Sequence, residues 1–588
     1  MPPRNFADDV SGEDGMGAME TSKTCHFDPG RGPGEKSRLK SKIPHRVRND
    51  KPGAIEGALL SRGLQAAAIV AGSLFAIAAF AAPPEGFDAR VEAAMRSRDV
   101  PGMAISIVED GRIVHAKGYG VRRLGSPEAV DADTIFPTGS TGKAVTAAAL
   151  AILVDEGRLG WDDRVIDHLP DFRMHDAWVT REMTVRDLLL HRSGLGLGAG
   201  DLLFIPRSSR SRADIVRALR HIKPATSFRS GYAYDNILYI VAGELVSAVS
   251  GQDWESFVRE RIFAPLGMRT ATSHEDDRFN TGNRAQPHAR LDPRLRGLGA
   301  QQVLPEREGL GQVGAPAGGL SWSASDFARW LQVQLALGAA PGGEDKRLWS
   351  EANAHEMWSP QVPVPVRPFP APIADITPQF SGYALGWNVQ DYRGVKVVQH
   401  GGAVFGVLSY VVLVPERNLG IALQVNSEDV EVLRGLGYEL LDHYLGFEPR
   451  DWVEAFTQWN RQRLEGGLAA LEAMGKQARK ASRPSLPLAG YAGDYADAWY
   501  GPIAIAERGG RLRIDFRQTP DMQGTLTHWQ YDTFRADWDD ASIEPAYVTF
   551  ALDAEGKVAR ITMKAVSPTA DFSYDYHDLL FEPAAAGH

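Results

Sequence analysis

Residues 140–157 read STGKAVTAAALAILVDEG. After Ser-Thr-Gly the run is almost wholly Ala, Val, Leu and Ile, and it stops at Gly157. A segment apolar all round is a helix buried on every side, and a glycine past the last apolar residue ends it. The spacing predicts a buried helix over 140–157, with Ser140 and Lys143 on one face at its start. A serine there is a nucleophile only if a neighbour takes its proton. A lysine does so only when neutral, which burial and the positive end of the helix dipole both favour. The helix start also offers the backbone N–H of Ser140 to an oxyanion. Alone the pattern is weak. A serine before a helix is first of all an N-cap, and Ser37-Arg38-Leu39-Lys40 repeats the spacing in a polar leader.

Upstream of this helix, residues 87–99 carry a short helical pattern, and residues 103–120, MAISIVEDGRIVHAKGYG, read as two strands turning at Asp110-Gly111. Downstream, to about residue 335, come helical segments and loops, among them TVRDLLLHRSG (184–194), NILYIVAGELVSAVSG (236–251) and SASDFARWLQVQLALG (323–338). A proline-rich loop (359–378) leads back to strands: YALGWNVQ, VKVVQH, VLSYVVLVP and GIALQVNS, then a helix at 430–445. Strands, helices, then strands again require the two ends of one unit to share a sheet with helices packed on it. Hairpin spacing makes that sheet antiparallel. The fold class is α+β. Residues 451–484 read as a connecting helix, and 485–588 as short alternating strands of a small all-β barrel or sandwich, with turns at Gly509-Gly510 and Glu555-Gly556. Trp499, Trp529 and Trp538 fit barrel packing.

Composition narrows the function. The chain has 588 residues, too many for one core. A net charge of -10 argues against a nucleic-acid partner. The single cysteine, Cys25, excludes an intramolecular disulfide and leaves no Cys-based zinc site, and no HExxH or phosphate-loop pattern is present. No metal or cofactor is expected. The run 194–200, GLGLGAG, follows no strand and reads as a flexible loop, and His191 before it as structural. Residues 1–82 form a leader: a basic stretch (36–51), then the apolar LQAAAIVAGSLFAIAAFAA (64–82) containing Ala79-Phe80-Ala81. This is a signal for export to the periplasm or an uncleaved anchor, since about 19 apolar residues can span a bilayer.

Two further motifs follow Ser140-x-x-Lys143. Tyr234-Asp235-Asn236 places a phenol that can relay a proton if nearby cations lower its pKa. Its asparagine can accept from Lys143 or hold a substrate amide; the ordinary reading is a packed tyrosine with Asn236 as an N-cap. His400-Gly401-Gly402 ends a strand, where glycines let a substrate lie against the strand edge and Ala403 N–H can serve as a second oxyanion donor; the ordinary reading is a glycine turn.

In this order and on these elements, the three motifs resemble the serine β-lactamase, penicillin-binding-protein and esterase superfamily, and within it the class C-related branch of serine peptidases and esterases. TVRDLLLHRSGL (184–195), IFAPLGM (262–268) and PAGGL (316–320) extend the resemblance over roughly residues 85–447. It implies an acyl-enzyme on Ser140, general acid and base work shared by Lys143 and Tyr234, and substrate held by Asn236, His400, Gly401, Gly402 and Ala403. His400 stands where many relatives carry the lysine of Lys-Thr-Gly. A mostly neutral histidine grips a carboxylate less firmly, which fits esterases and aminopeptidase-like members at least as well as β-lactamases. The terminal block resembles the lipocalin-like barrel appended to some of these peptidases, which implies substrate gating or oligomer contact. The expected organisation is a leader (1–82), a hydrolase domain (83–450), a linker helix (451–484) and a barrel (485–588). The expected activity is hydrolysis of a small ester, a short peptide (D-residues included) or a β-lactam. The alternative is a retired hydrolase that binds cell-wall peptides. The expected partner is the substrate, with a homo-oligomer left open and a membrane only if the leader is an anchor.

Overall fold

The structure, a computed structural model, describes residues 83–306, 310–341 and 346–584. The leader, with Cys25 and the apolar run 64–82, lies outside the described residues. Among those described, no helix is long and apolar enough to cross a membrane.

The chain opens with helix α1 (Phe87–Ser97) and the hairpin β1 (Gly102–Glu109) and β2 (Arg112–Gly120). Asp110 and Gly111 both take positive φ, 49° and 73°, as a two-residue hairpin turn that matches the strand twist requires. Strands resume with β3 (Val362–Pro363), β4 (Ser381–Tyr383), β5 (Asn388–Tyr392), β6 (Val395–Val404), β7 (Val407–Val414) and β8 (Leu419–Val425). They complete an antiparallel eight-stranded sheet in the order β2-β1-β8-β7-β6-β5-β4-β3. Its first and last strands are therefore neighbours, from Met103 opposite Val425 to Glu109 opposite Leu419.

Strand β7 is buried along its whole length. Val411 and Leu413 enter one core with the helical block, and Tyr410, Val412 and Val414 enter another with α1 and the closing helix α5 (Val430–Leu445). A sheet covered on both faces needs apolar residues at successive positions, which is why VLSYVVLV does not alternate. The helical block carries α2 (Lys143–Asp155), α3 (Ile237–Ser250) and α4 (Ala324–Leu335). The expected helix over 140–157 divides: Gly139–Gly142 is a 3-10 turn, and α2 proper begins at Lys143 and ends before Gly157, whose φ is 66°.

Helix α6 (Trp452–Gln477) buries its first half through Trp452, Phe456 and Trp459, and leads to eight strands, β9 (Gly493–Asp497), β10 (Gly501–Arg508), β11 (Arg511–Asp515), β12 (Gln523–Gln530), β13 (Thr533–Trp538), β14 (Ala546–Leu552), β15 (Val558–Ala565) and β16 (Leu580–Pro583). They form a closed barrel. Eight strands leave an interior that side chains can fill, and Ile503, Ile514, Phe516, Phe534 and Phe581 do so. Trp499 and Trp538 are buried and Trp529 half-buried against Tyr547. One long connection, residues 566–579 between β15 and β16, leaves the barrel wall and runs to the hydrolase-like part of the chain.

Candidate active site

Gly139 turns the chain with φ 55°. A Cβ there would stand 2.5 Å from the backbone N of Ala403, and one at Gly402 would stand 2.2 Å from the carbonyl of Thr138 and 3.1 Å from the N of Ser140. The turn carrying Ser140 thus lies backbone to backbone on β6, and only glycine permits this approach. The N–H groups of Ser140 and Ala403, the expected oxyanion donors, belong to this junction. Ser140 itself is half-buried.

Lys143 is fully buried. Its Nζ lies 3.1 Å from Ser140 Oγ and 2.8 Å from the carbonyl oxygen of Ala317, and it donates a short hydrogen bond to Asn236 Oδ1. Carbonyl and amide oxygens only accept. They take two N–H bonds, so the third direction of Nζ faces the serine hydroxyl. The Tyr234 ring centroid lies 4.8 Å from Nζ and that of Tyr239 5.1 Å, placing two π faces against the ammonium.

Asn236 occupies the N-cap position of α3, yet its side chain caps nothing. Oδ1 serves Lys143, and Nδ2 donates to Asp201 Oδ2 at 2.8 Å. Tyr234, two residues earlier, is 5% exposed. His191, with φ 54°, stacks 4.2 Å from it and accepts the N–H of Asp235 at Nδ1. The histidine read as structural is so, and it forms the wall behind the tyrosine.

His400 is buried with both ring nitrogens engaged: Nδ1 donates to the Gly401 carbonyl (2.6 Å), which leaves Nε2 to accept from Tyr383 Oη (3.0 Å). Burial, and next the charge of Lys143, push its pKa down to about 3. This is a neutral imidazole. The positive charge beside it belongs to Arg434, on α5, whose guanidinium covers the Tyr410 ring at 3.9 Å and would lie 3.2 Å from a Cβ at Gly401. Ser140, Tyr234, Asn236, His400, Gly401, Ala403 and Arg434 all line one cavity of about 90 Å³.

The barrel lines it too. Phe572, in the 566–579 connection, meets Tyr234 edge to face at 5.7 Å. Ser573 Oγ donates to Asp201 Oδ2 at 2.8 Å, and Asp575 accepts the N–H groups of Gly200 and Leu202 at 2.7 and 3.1 Å. The glycine-rich run 194–200, read as a flexible loop, is held in place. A Cβ at Gly198 would stand 2.6 Å from Phe572, so the absent side chain admits the barrel connection at close range. Burial pushes Asp201 up to about 8. A chain of hydrogen bonds therefore runs from the barrel to the lysine: Ser573, Asp201, Asn236, Lys143. Sequence reasoning missed Asp201, Arg434, Phe572 and Ser573. Arg434 had a signal, a lone cation in an apolar helix stretch; the barrel residues had none. Among the described residues, no three His, Cys, Asp or Glu side chains are grouped to hold a metal ion.

Residues 87–445 match the Beta-lactamase family model. The chain belongs to the beta-lactamase family. Residues 477–583 match a second family, DUF3471, a domain of unknown function. Among curated relatives of this beta-lactamase family chain, the unguisins hydrolase ungD' of Aspergillus campestris is 32% identical over 423 residues, 69% of this chain and 74% of that protein. Penicillin-binding protein 4 of Amycolatopsis lactamdurans is 31% identical over 343 residues, 58% of this chain and 84% of that protein. The octameric penicillin-binding protein homologue from Pyrococcus abyssi shares the fold, with TM-score 0.52 and 20% identity over 84% of this chain and 99% of that one.

Proposed function

We propose that the protein is a serine hydrolase that cleaves an ester or amide through an acyl-enzyme on Ser140. The observation that carries this reading is the surroundings of Lys143 Nζ. Two acceptors hold its N–H bonds, so in the neutral amine the lone pair points at Ser140 Oγ, 3.1 Å away. The serine proton passes to Nζ as Oγ bonds to the substrate carbonyl carbon. The N–H groups of Ser140 and Ala403 receive the developing oxyanion. As the carbon–heteroatom bond breaks, the proton returns to the leaving group from Lys143, with Tyr234 beside it as relay. Water then repeats the sequence, giving its proton to the amine and its oxygen to the acyl carbon, and Ser140 is restored.

The neutral His400 does not supply the fixed positive charge of a lysine, so it grips a substrate carboxylate weakly. The reading therefore favours small esters and short peptides, D-residues included, ahead of β-lactams. That one relative is named a hydrolase supports hydrolysis. The basic and apolar segments before residue 83 support a site of action outside the cytoplasm.

Treatment with a fluorophosphonate, followed by intact-mass measurement, tests the nucleophile. One adduct on the wild type and none on Ser140→Ala is the expected result, with the variant folded, since a half-buried hydroxyl contributes little packing. Equal labelling of both proteins refutes the assignment. No labelling of either favours a retired hydrolase that only binds its peptide.

A further inference from the structure

Beyond Ala403 the catalytic cavity continues into a second one, also of about 90 Å³, at the junction of β6, β7 and the barrel. The two share Ile205, Leu310, Ala403, Asp571 and Ser573. Leu310, Val404, Phe405 and Leu408 give the second cavity apolar walls. A single water needs only about 10–15 Å³ by this measure, so a short alkyl chain fits.

Its charged lining is mostly acidic. Glu428, Glu544 and Asp571 line it, with Arg296. Arg296 is spent on Glu428, to which it donates from Nε (2.8 Å) and Nη2 (2.5 Å). That pair is neutral as a whole. Asp571 accepts the N–H of Ser573 at 2.9 Å. Glu544 is 6% exposed, and its backbone carbonyl is pinned by Trp538 Nε1 and Tyr576 Oη. Its carboxylate has no hydrogen-bond partner among the described residues. A buried carboxylate without a donor is costly, and burial pushes Glu544 up to about 7 and Asp571 upward as well. Arg296, Glu428, Asp571 and Arg535 are the charged groups that act on Glu544. With Arg296 satisfied by Glu428, the cavity holds two carboxylates in excess of the cations that line it.

We propose that this second cavity is a specificity pocket for a substrate group with a short alkyl chain ending in an ammonium, which Glu544 receives. The apolar walls take the methylenes, and the ammonium supplies the N–H donors and charge that Glu544 lacks. That the occupant is part of the substrate rests on the hydrolase reading above; the pocket's preference for an ammonium does not.

The two parts separate experimentally. n-Butylammonium and n-butanol are matched probes, and binding is read by saturation-transfer NMR on the full-length Ser140→Ala protein, which does not turn over. We expect butylammonium to bind at least ten-fold more tightly than butanol at pH 8. Its affinity should fall as pH drops through about 7 and Glu544 takes a proton, while butanol's stays level. The near-isosteric Glu544→Gln change should remove the difference. Equal affinity of the two probes, or a preference that survives Glu544→Gln, overturns the pocket. The wild type is then given nitrophenyl hexanoate and nitrophenyl 6-aminohexanoate, with the aminated ester expected to have at least ten-fold higher kcat/KM. Selective butylammonium binding without ester turnover leaves the pocket standing and removes the hydrolase reading. Turnover without selective binding does the reverse.

Discussion

The two regions that meet at Ser140 are built by different rules. On the hydrolase side, Ser140 and Lys143 form one pair at a helix start and Tyr234 and Asn236 another just before a helix; within each pair the members are a turn or less apart, so spacing alone places them together. On the barrel side, Phe572, Ser573 and Asp575 come from a connection with no motif, and they reach the site by fit against Gly198 and Gly200. Chemistry that requires two groups on one helix face leaves a pattern in the sequence. A wall that requires only contact leaves none.

That contrast can be broken at three depths. Lys143→Met removes the proton acceptor, and kcat should fall by about 10²–10⁴; a near-normal rate in a stopped assay of nitrophenyl ester hydrolysis would show that the motif side does not carry the chemistry. Asp201→Asn keeps the acceptor for Asn236 and Ser573 but removes a titrating acid. The folded-state pKa of Asp201, about 8, lies above its unfolded value near 3.8, so the native protein holds the extra proton and wild-type stability drains away as pH rises from about 4 to 8. The variant's urea midpoint should therefore gain on the wild type's across that window, and parallel curves would mean that Asp201 is not held neutral. Its pH–rate profile should move as well, because the acid that titrates at about 8 beside Asn236 is gone. The smallest effect is expected from Ser573→Ala. Loss of one buried hydrogen bond is worth about 0.5–1.5 kcal/mol, read as a lower urea midpoint, with kcat reduced several-fold and rescue by Ser573→Thr. A kcat equal to wild type in Ser573→Ala would confine the barrel to a passive wall.

Much of the architecture was legible. The hairpin at Asp110-Gly111, the buried helix after Lys143 and the return of strands after residue 380 each followed from periodicity and turn residues. That β1 and β8, more than 300 residues apart, share a sheet followed from the order of elements; that they are direct neighbours did not. Residues 194–200 misled, because glycine marks both a free backbone and a close approach. Here Gly198 serves the second purpose against Phe572, and Gly200 against Ile222 and Ile237. His400 was expected to be mostly neutral and to grip an anion weakly, but its engagement by Tyr383 and Gly401 depends on contacts that no spacing encodes. Asp201 was invisible for a similar reason. An aspartate after a loop is ordinarily a solvated turn residue, and only the barrel connection buries it.

The connection at 566–579 also sets the order in which the site is made. Translation delivers about 5–20 residues each second, and domains fold as they emerge. A chain that has just completed β8 already owns its serine, its lysine and the sheet beneath them. It still lacks Phe572, Ser573 and Asp575, and with them the hydrogen bond that Ser573 gives Asp201. The last strand to appear, β16, closes the barrel on β9, and only then is the 566–579 connection anchored at both ends. A nascent chain on the ribosome therefore carries Ser140 and Lys143 for the whole time needed to make the barrel before the wall beside them exists.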